Sequence, residues 1–546
     1  MSPSATPGKK ARRSSIPPPR STVPVLVIGT GIAGLTTAHV LASAGVDVLL
    51  VTKAEDAEDT NTLWAQGGII YRGKQDSAKS LEKDILAAGA GICNEPAVAQ
   101  LAKLGPTVVR KLLIDEIGVP FSKAEDGELD LTREGAHSVP RIVHASDATG
   151  RAIELALLQK VKDNPKIRMA TETTAIDLLT SQHHSRKTEF QYRIPNECLG
   201  AYLLGPDGRV RTLFADFTVL ATGGVGSLYL HTTNTKGAIG DGIVMADRAG
   251  ARLKNIEYVQ FHPTTLYHPG APRFLISEAL RGEGARLENL RGEQFMKRYA
   301  PKLKDLAPRD IVARAIVEEM TIHKEPHVYL DLSHHYKPHA GMGIRERFPT
   351  IAAFCASYGI DIARDPIPVV PAAHYHCGGV LVNLDGESTL ERLYAVGECA
   401  GSGLHGANRL ASTSLLEGLT WGWCAAQSIL KKLNNQQSIQ KSLFASVPDW
   451  EPTGTEENED PALILQDWAT IRNTMWNYVG IVRTAARLER ASADFRDLKA
   501  RLETFYHRTQ ISRDIVELFH GVHAALVITT SALRNPESRG CHYRKD

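Results

Sequence analysis

The sequence has little of what marks a secreted, membrane-bound or nucleic-acid-binding chain. Seven cysteines stand at 93, 198, 355, 377, 399, 424 and 541, and no two form a C-x-x-C pair. Iron–sulfur and zinc-ribbon spacings are thereby excluded and no metal ligands are read. The odd count suits a reducing compartment better than a disulfide framework. Charge of one sign is also lacking. The 63 Lys and Arg against 61 Asp and Glu leave a net +2, too little to draw the chain to nucleic acid or to an anionic membrane. No secretory apolar region follows the basic N-terminus. The apolar stretch over 23–51 is broken by glycines, His39 and Asp47, so it is not a membrane span.

Residues 1–22 carry Lys9, Lys10, Arg12, Arg13, Arg20 and the run Pro17-Pro18-Pro19, with no acid. They read as a disordered tail. A nuclear or organelle address stays open, although the prolines oppose the amphipathic helix of a transit peptide. The expected location is cytoplasmic.

What is present begins at residues 23–34, V-P-V-L-V-I-G-T-G-I-A-G. An apolar strand runs into a glycine turn, a helix is expected over 35–44, and a second strand over 47–51. Gly29, Gly31 and Gly34 have the spacing that seats a dinucleotide pyrophosphate on a helix N-terminus. Gly29 permits the tight turn, Gly31 the approach of N–H groups, and Gly34 the packing of helix on sheet. The triplet alone is weak; its strand–turn–helix setting strengthens it and points to a redox cofactor.

Two further strand-to-glycine junctions occur, at Gly223-Gly224 and at Gly397-Glu398. Between them lies a more charged segment with a helix expected over 310–320 and a strand over 327–330. The expected fold class is α/β. A discontinuous Rossmann-like dinucleotide-binding domain (23–255 and 369–445) is interrupted by an inserted α+β capping domain (256–368). An acidic linker (446–461) leads to a C-terminal helical bundle (462–546), whose arginines read mostly as a solvated helical face.

Several blocks together carry a resemblance. They are Gly29-x-Gly31-x-x-Gly34, Ala65-Gln66-Gly67-Gly68, Ala221-Thr222-Gly223-Gly224, Gln260-Phe261-His262-Pro263-Thr264 and Arg281-Gly282-Glu283-Gly284-Ala285. Pro308-Arg309-Asp310, His374-Tyr375-x-Cys377-Gly378-Gly379, Gly406-Ala407-Asn408-Arg409 and Glu537-Ser538-Arg539-Gly540 complete them. Over about 23–546 the chain resembles the flavoprotein family of succinate dehydrogenase and fumarate reductase, and within it the branch that oxidises L-aspartate. Asn61 stands where the membrane-bound dehydrogenases carry the histidine that attaches flavin, and asparagine cannot make that bond. Glu134-Gly135-Ala136-His137 resembles the loop with which the aspartate-oxidising branch reads the substrate amino group. Ala136 replaces a glycine there and resists positive φ. Ser277 stands where the family usually has threonine.

The resemblance implies non-covalent FAD, held by Gly29, Thr30, Gly31, Ile32, Ala33, Gly34, Lys53, Asn61, Thr62, Ala65, Gln66, Gly67, Gly68, Asp241, Glu398, Ser414 and Leu415. Lysine at 53 replaces the ribose-binding acid of an ordinary NAD site. It implies L-aspartate as substrate, oxygen or fumarate as electron acceptor, and iminoaspartate as product. Quinolinate synthase is the implied partner for imine transfer in NAD biosynthesis. Arg409 is the candidate clamp for one carboxylate, since a guanidinium fork suits that group. His262 and His374 are candidates for the other, with Ser277 and Gln260 as neutral donors. Arg309 is the candidate proton-transfer group, acting by polarisation or relay because arginine is a poor base. Glu134 would face the substrate ammonium. Plainer readings stay open: Arg309 or Ser277 as a helix cap, Arg409 as a flavin-phosphate ligand, Glu134 as a solvated acid. His183, His184, His334 and His335 lie in polar stretches and receive no role. The competing functions are a soluble fumarate reductase or succinate dehydrogenase flavoprotein, and a catalytically silent flavin-binding subunit.

Overall fold

A computed structural model describes residues 17–192, 194–271, 274–336, 341–435, 441–452 and 454–546. Most of the expected N-terminal tail lies outside these residues. The first strand, Arg20–Ile28, starts three residues before the expected boundary. Arg20 itself donates to Asp449 Oδ1 at 2.6 Å and to the Phe444 carbonyl at 2.7 Å. These bonds also anchor the start of the acidic segment expected to be a linker.

Apolar residues at 25–28 and 48–51 are buried on both faces, as the strands of a parallel sheet require. Arg20–Ile28 pairs in parallel with Val48–Val51 on one side and with Val210–Leu220 on the other. Ile167–Ala170 continues the sheet beyond Val48–Val51, and Leu393–Ala395 lies parallel to the end of Val210–Leu220. The register places Ile28 opposite Leu220, and Leu220 opposite Ala395. All three strand-to-glycine junctions therefore open at one carboxyl edge, where an open α/β sheet binds its ligand. Gly29 turns with φ 114°, and a Cβ there would collide with the Ala221 carbonyl oxygen. The helix that follows, Ile32–Ser43, is buried along nearly its whole length beneath Thr413–Asn434. Gly422 permits that approach: a Cβ on it would lie 2.7 Å from the Ala33 carbonyl oxygen.

The capping segment has its own antiparallel sheet, in the order Val259–Leu266, Ile367–His376, Val328–Asp331, Arg286–Glu288. It also has its own apolar core, including Phe295, Val312, Ile316 and Ile351. The boundary expected at 368 falls inside Ile367–His376. That strand begins in the cap core and ends against the dinucleotide domain, where the His376 N–H donates to Glu398. One continuous strand thus serves both units.

Three helices, Pro461–Tyr478, Ala485–Arg508 and Arg513–Arg534, form the C-terminal part. The last is long and apolar enough to cross a membrane by length and composition alone. Its Ile515, Leu518, Val522, Ala525 and Ile528 are instead buried inside the protein.

Candidate active site and cofactor cavity

A cavity of about 680 Å³ opens at the carboxyl edge of the parallel sheet. Gly29, Thr30, Gly31, Ile32 and Ala33 line it, as do Lys53, Asn61, Thr62, Ala65, Gln66, Asp241, Glu398, Ser414 and Leu415. Gly34, Gly67 and Gly68 do not. Their lack of a side chain serves packing: a Cβ on Gly34 would strike the Gly29 carbonyl, one on Gly67 would lie 2.7 Å from Glu134 Oε1, and one on Gly68 would strike Ile142.

Whether these residues fit FAD can be tested on their donors. Helix Ile32–Ser43 starts at the cavity wall from Gly31 with no side-chain cap, an arrangement that suits a pyrophosphate. The Thr62 hydroxyl accepts the Ile32 N–H at 3.1 Å. Helix Thr413–Asn434 also starts at the wall without a side-chain cap, from Ser412 in a left-handed conformation at φ 57°. Two open helix starts facing one elongated cavity fit a dinucleotide with an acidic ring system at its far end. Asn61 Oδ1 accepts the Thr235 N–H at 2.9 Å, and a carboxamide offers no ring nitrogen for attachment. Burial pushes the Glu398 carboxyl up to about 7, against the opposing pull of the His376 N–H, Arg409 and Asn61.

Of the candidate chemical groups His374 lines this cavity, and Arg309, Arg409, His262, Gln260, Ser277 and Glu134 lie outside its lining. His262 lies on Val259–Leu266 and His374 on Ile367–His376; these strands pair, so the two rings come to 5.3 Å. Each ring engages the protein through Nδ1, with Thr264 and with the Thr233 hydroxyl respectively. That leaves Nε2 to face a ligand. Burial, and then the charge of Arg309 on His262 and those of Arg409 and Arg309 on His374, hold both imidazoles well below the ordinary histidine range. Both are neutral rather than cationic; the Thr233 hydroxyl on Nδ1 leaves His374 a donor at Nε2, and His262 is a donor there when its Nδ1 accepts the Thr264 N–H.

Arg309 is the first residue of helix Arg309–His323. Its Nε donates to Glu278 Oε2 at 2.8 Å and its terminal nitrogen to Gln260 Oε1 at 3.3 Å. Buried Gln260 donates in turn to Asn408 Oδ1 at 2.7 Å and to the Arg409 carbonyl at 2.9 Å. Burial alone would raise the Glu278 carboxyl; Arg309 and Arg281 hold it below its ordinary value instead. Glu278 and Arg281 have no assigned role in the sequence, although Arg281 opens a recognised motif and Glu278 stands three residues before it. Arg409 is buried with its guanidinium 4.7 Å above the Tyr375 ring. Burial and the nearby Arg309 push it down to about 10, so it stays charged at neutral pH.

Ser277 caps helix Glu278–Gly282, accepting the Ala279 N–H at 3.3 Å. The plainer reading of this residue is therefore realised, with its own hydroxyl proton left to donate. Glu134 accepts a 2.6 Å hydrogen bond from the Ser412 hydroxyl, and its charge acts on Arg409. Ala136 adopts φ 66°. Ser412 and the 232–237 segment at the cavity wall had no periodic or spacing signal in the sequence. His334 and His335 form ion pairs with Asp331 and Glu288 on the cap.

Residues 24–415 match the FAD binding domain family, and 468–546 match the fumarate reductase flavoprotein C-terminal family. The chain is 44% identical to the L-aspartate oxidase of Pseudomonas aeruginosa over 96% of its length and 95% of that protein's. It is 45% identical to L-aspartate oxidase 1 of Ralstonia nicotianae, covering 96% and 95%. Among solved structures, the E. coli quinol fumarate reductase flavoprotein superposes with a TM-score of 0.85 at 28% identity, covering 96% of this chain and 92% of that one.

Proposed function

The chain belongs to the L-aspartate oxidase family of FAD-dependent flavoenzymes, and from that premise we propose that it oxidises L-aspartate to iminoaspartate with oxygen or fumarate as acceptor. FAD, held non-covalently, supplies the two-electron chemistry when bound. The observation that carries the substrate reading is that Glu134, bonded to Ser412 before helix Thr413–Asn434, lies close enough for its charge to act on buried Arg409. A carboxylate next to a guanidinium is the complement of an amino acid's ammonium and carboxylate, and it disfavours a purely anionic competitor.

In this reading Arg409 grips one substrate carboxylate. His374, and His262 in the tautomer whose Nδ1 accepts the Thr264 N–H, donate through Nε2 to the other, with Ser277 completing the shell; Gln260, its amide protons given to Asn408 and the Arg409 carbonyl, positions Arg309. Glu278 and Gln260 fix the plane of Arg309, so that its guanidinium polarises the amine and passes the departing proton toward water. Cap residues Phe274 and Phe354, stacked with ring centroids 3.8 Å apart, close the cavity wall and exclude bulk solvent. Convergence of Arg309, Arg409, His262 and His374, with the buried Arg409 Nε left without a partner among the described residues, opposes the silent-subunit reading, since a buried unpaired donor is costly to keep without a ligand. The imine product hydrolyses in water, which suits consumption by a quinolinate synthase on the route to NAD.

Glu134→Gln tests the substrate reading. The variant is expected to lose roughly 100-fold in kcat/KM for L-aspartate, equivalent to about 3 kcal/mol, while fumarate reduction changes less than about threefold. Equal losses on both would remove Glu134 from recognition of the ammonium.

A further inference from the structure

We propose that the C-terminal helical bundle completes the adenosine end of the FAD site, through Arg513 and Glu517. The proposal rests on FAD as the cofactor and goes beyond it, because no motif or comparison places a bundle residue at the nucleotide.

The argument starts from Lys53. A dinucleotide fold places the residue at the end of its second strand beside the adenosine ribose, and here that residue is a lysine. Its ammonium lies 2.9 Å from Asp241 Oδ2 and 3.2 Å from Glu517 Oε1. Asp241 belongs to the dinucleotide domain, whereas Glu517 stands one turn into helix Arg513–Arg534 of the bundle. The same Glu517 oxygen accepts from Arg513 Nε at 3.1 Å. Two acids and two bases thus alternate across the junction of the two units: Asp241, Lys53, Glu517, Arg513.

Arg513 also lines the cavity, together with Lys53, Asp241 and Thr173. Among the described residues only its Nε is committed to a hydrogen bond. The two terminal nitrogens of the fork remain for a ligand oxygen. Glu517 is largely buried, with 17% of its side chain exposed. It therefore acts as a positioning residue, holding Lys53 against the ligand and aiming Arg513. Arg513 is the binding residue, directed at the ribose hydroxyls or the adjoining phosphate. Linkage follows: whatever FAD gains from Arg513 stabilises the docked bundle by the same amount.

FAD affinity, read by quenching of flavin fluorescence on titration into the FAD-free protein, tests this without reference to turnover. Arg513→Ala and Glu517→Gln are each expected to raise Kd at least tenfold, with Arg513→Lys recovering part of the loss. Arg508→Ala, which removes a bundle arginine paired with Glu456 instead, is expected to leave Kd within twofold. In the unmodified chain FAD is expected to slow amide exchange over 513–520, a readout that needs no variant to fold. A Kd within twofold for an Arg513→Ala protein that melts like the parent, or no slowing by FAD over 513–520, would overturn the proposal. If the unmodified chain took up no FAD, the cofactor assignment would fail rather than this contact.

Discussion

Ala136 holds a backbone conformation that an L-residue reaches only against its Cβ. At φ 66° the left-handed well costs roughly 1–2 kcal/mol for a residue with a side chain. The loop that presents Glu134 keeps its shape even so, because the Glu134 carboxylate is bonded to Ser412 and a buried His137 donates to the Ala411 carbonyl. Ala136→Gly removes the strain but adds about 0.4–1 kcal/mol of unfolded-state entropy, so a net gain of up to about 1 kcal/mol is expected in urea unfolding. A loss of stability would show that the loop draws nothing from the relief of strain. Glu398 makes a second prediction at this scale. Its folded carboxyl titrates near 7 against 4.5 in the unfolded chain. The unfolded state thus loses its proton first, and stability falls as pH rises from 4.5 to 7. After discounting for water at the cavity wall, the cost is about 2 kcal/mol at pH 8 and under ~1 kcal/mol at pH 5. Glu398→Gln should therefore stabilise the FAD-free protein at pH 8 and barely at pH 5, as followed by denaturant midpoints. A pH-independent difference would contradict the protonation argument.

Elements were legible where periodicity and glycine placement agree, and obscure where they do not. The strand ending at Ile28, the turn at Gly29 and helix Ile32–Ser43 follow from an apolar run and a backbone that only glycine can take. The boundary expected at 368 falls inside Ile367–His376, whose run from Ile367 to Ala373 has no charge or glycine to mark a change of unit. Ser412 and Thr233 carry no pattern because each is a single polar residue in a loop, and Glu278 carries none because it opens a helix of only five residues. The arginines of the bundle were read as a solvated face because charges spaced by four look alike on any helix surface. Arg483 is in fact fully buried, donating to the Glu257 carbonyl at 2.9 Å, and Arg513 reaches the cavity. Helix Pro349–Ala356 of the cap carries a comparable surprise. It has no side-chain cap of its own; Asp147 of the dinucleotide domain accepts the Thr350 N–H at 2.8 Å and its hydroxyl at 2.6 Å. These bonds tie the cap helix to the dinucleotide domain. Asp147→Ala should lose about 1 kcal/mol of that capping, seen as faster amide exchange over 349–356 and a KM raised about threefold at unchanged kcat. Unaltered exchange there would show that the cap is held elsewhere.

The molecule as a whole joins two apolar cores, one under the parallel sheet and one in the cap, across a seam that holds the site. Neither unit alone carries it. Arg309, Gln260, His262 and Glu278 come from the inserted segment, while Glu134, Arg409 and the glycine junctions come from the dinucleotide domain. Spacing along the chain does not reveal this assembly, since residues 134, 262, 374 and 409 are far apart in sequence; it is legible only through the motifs that carry the family resemblance. Anaerobic mixing of the FAD-loaded protein with L-aspartate, and separately with succinate, probes the assembled site most directly. The visible flavin absorbance is expected to bleach with L-aspartate and to persist with succinate. A flavin that stays yellow with L-aspartate, or bleaches equally with both acids, would contradict the account.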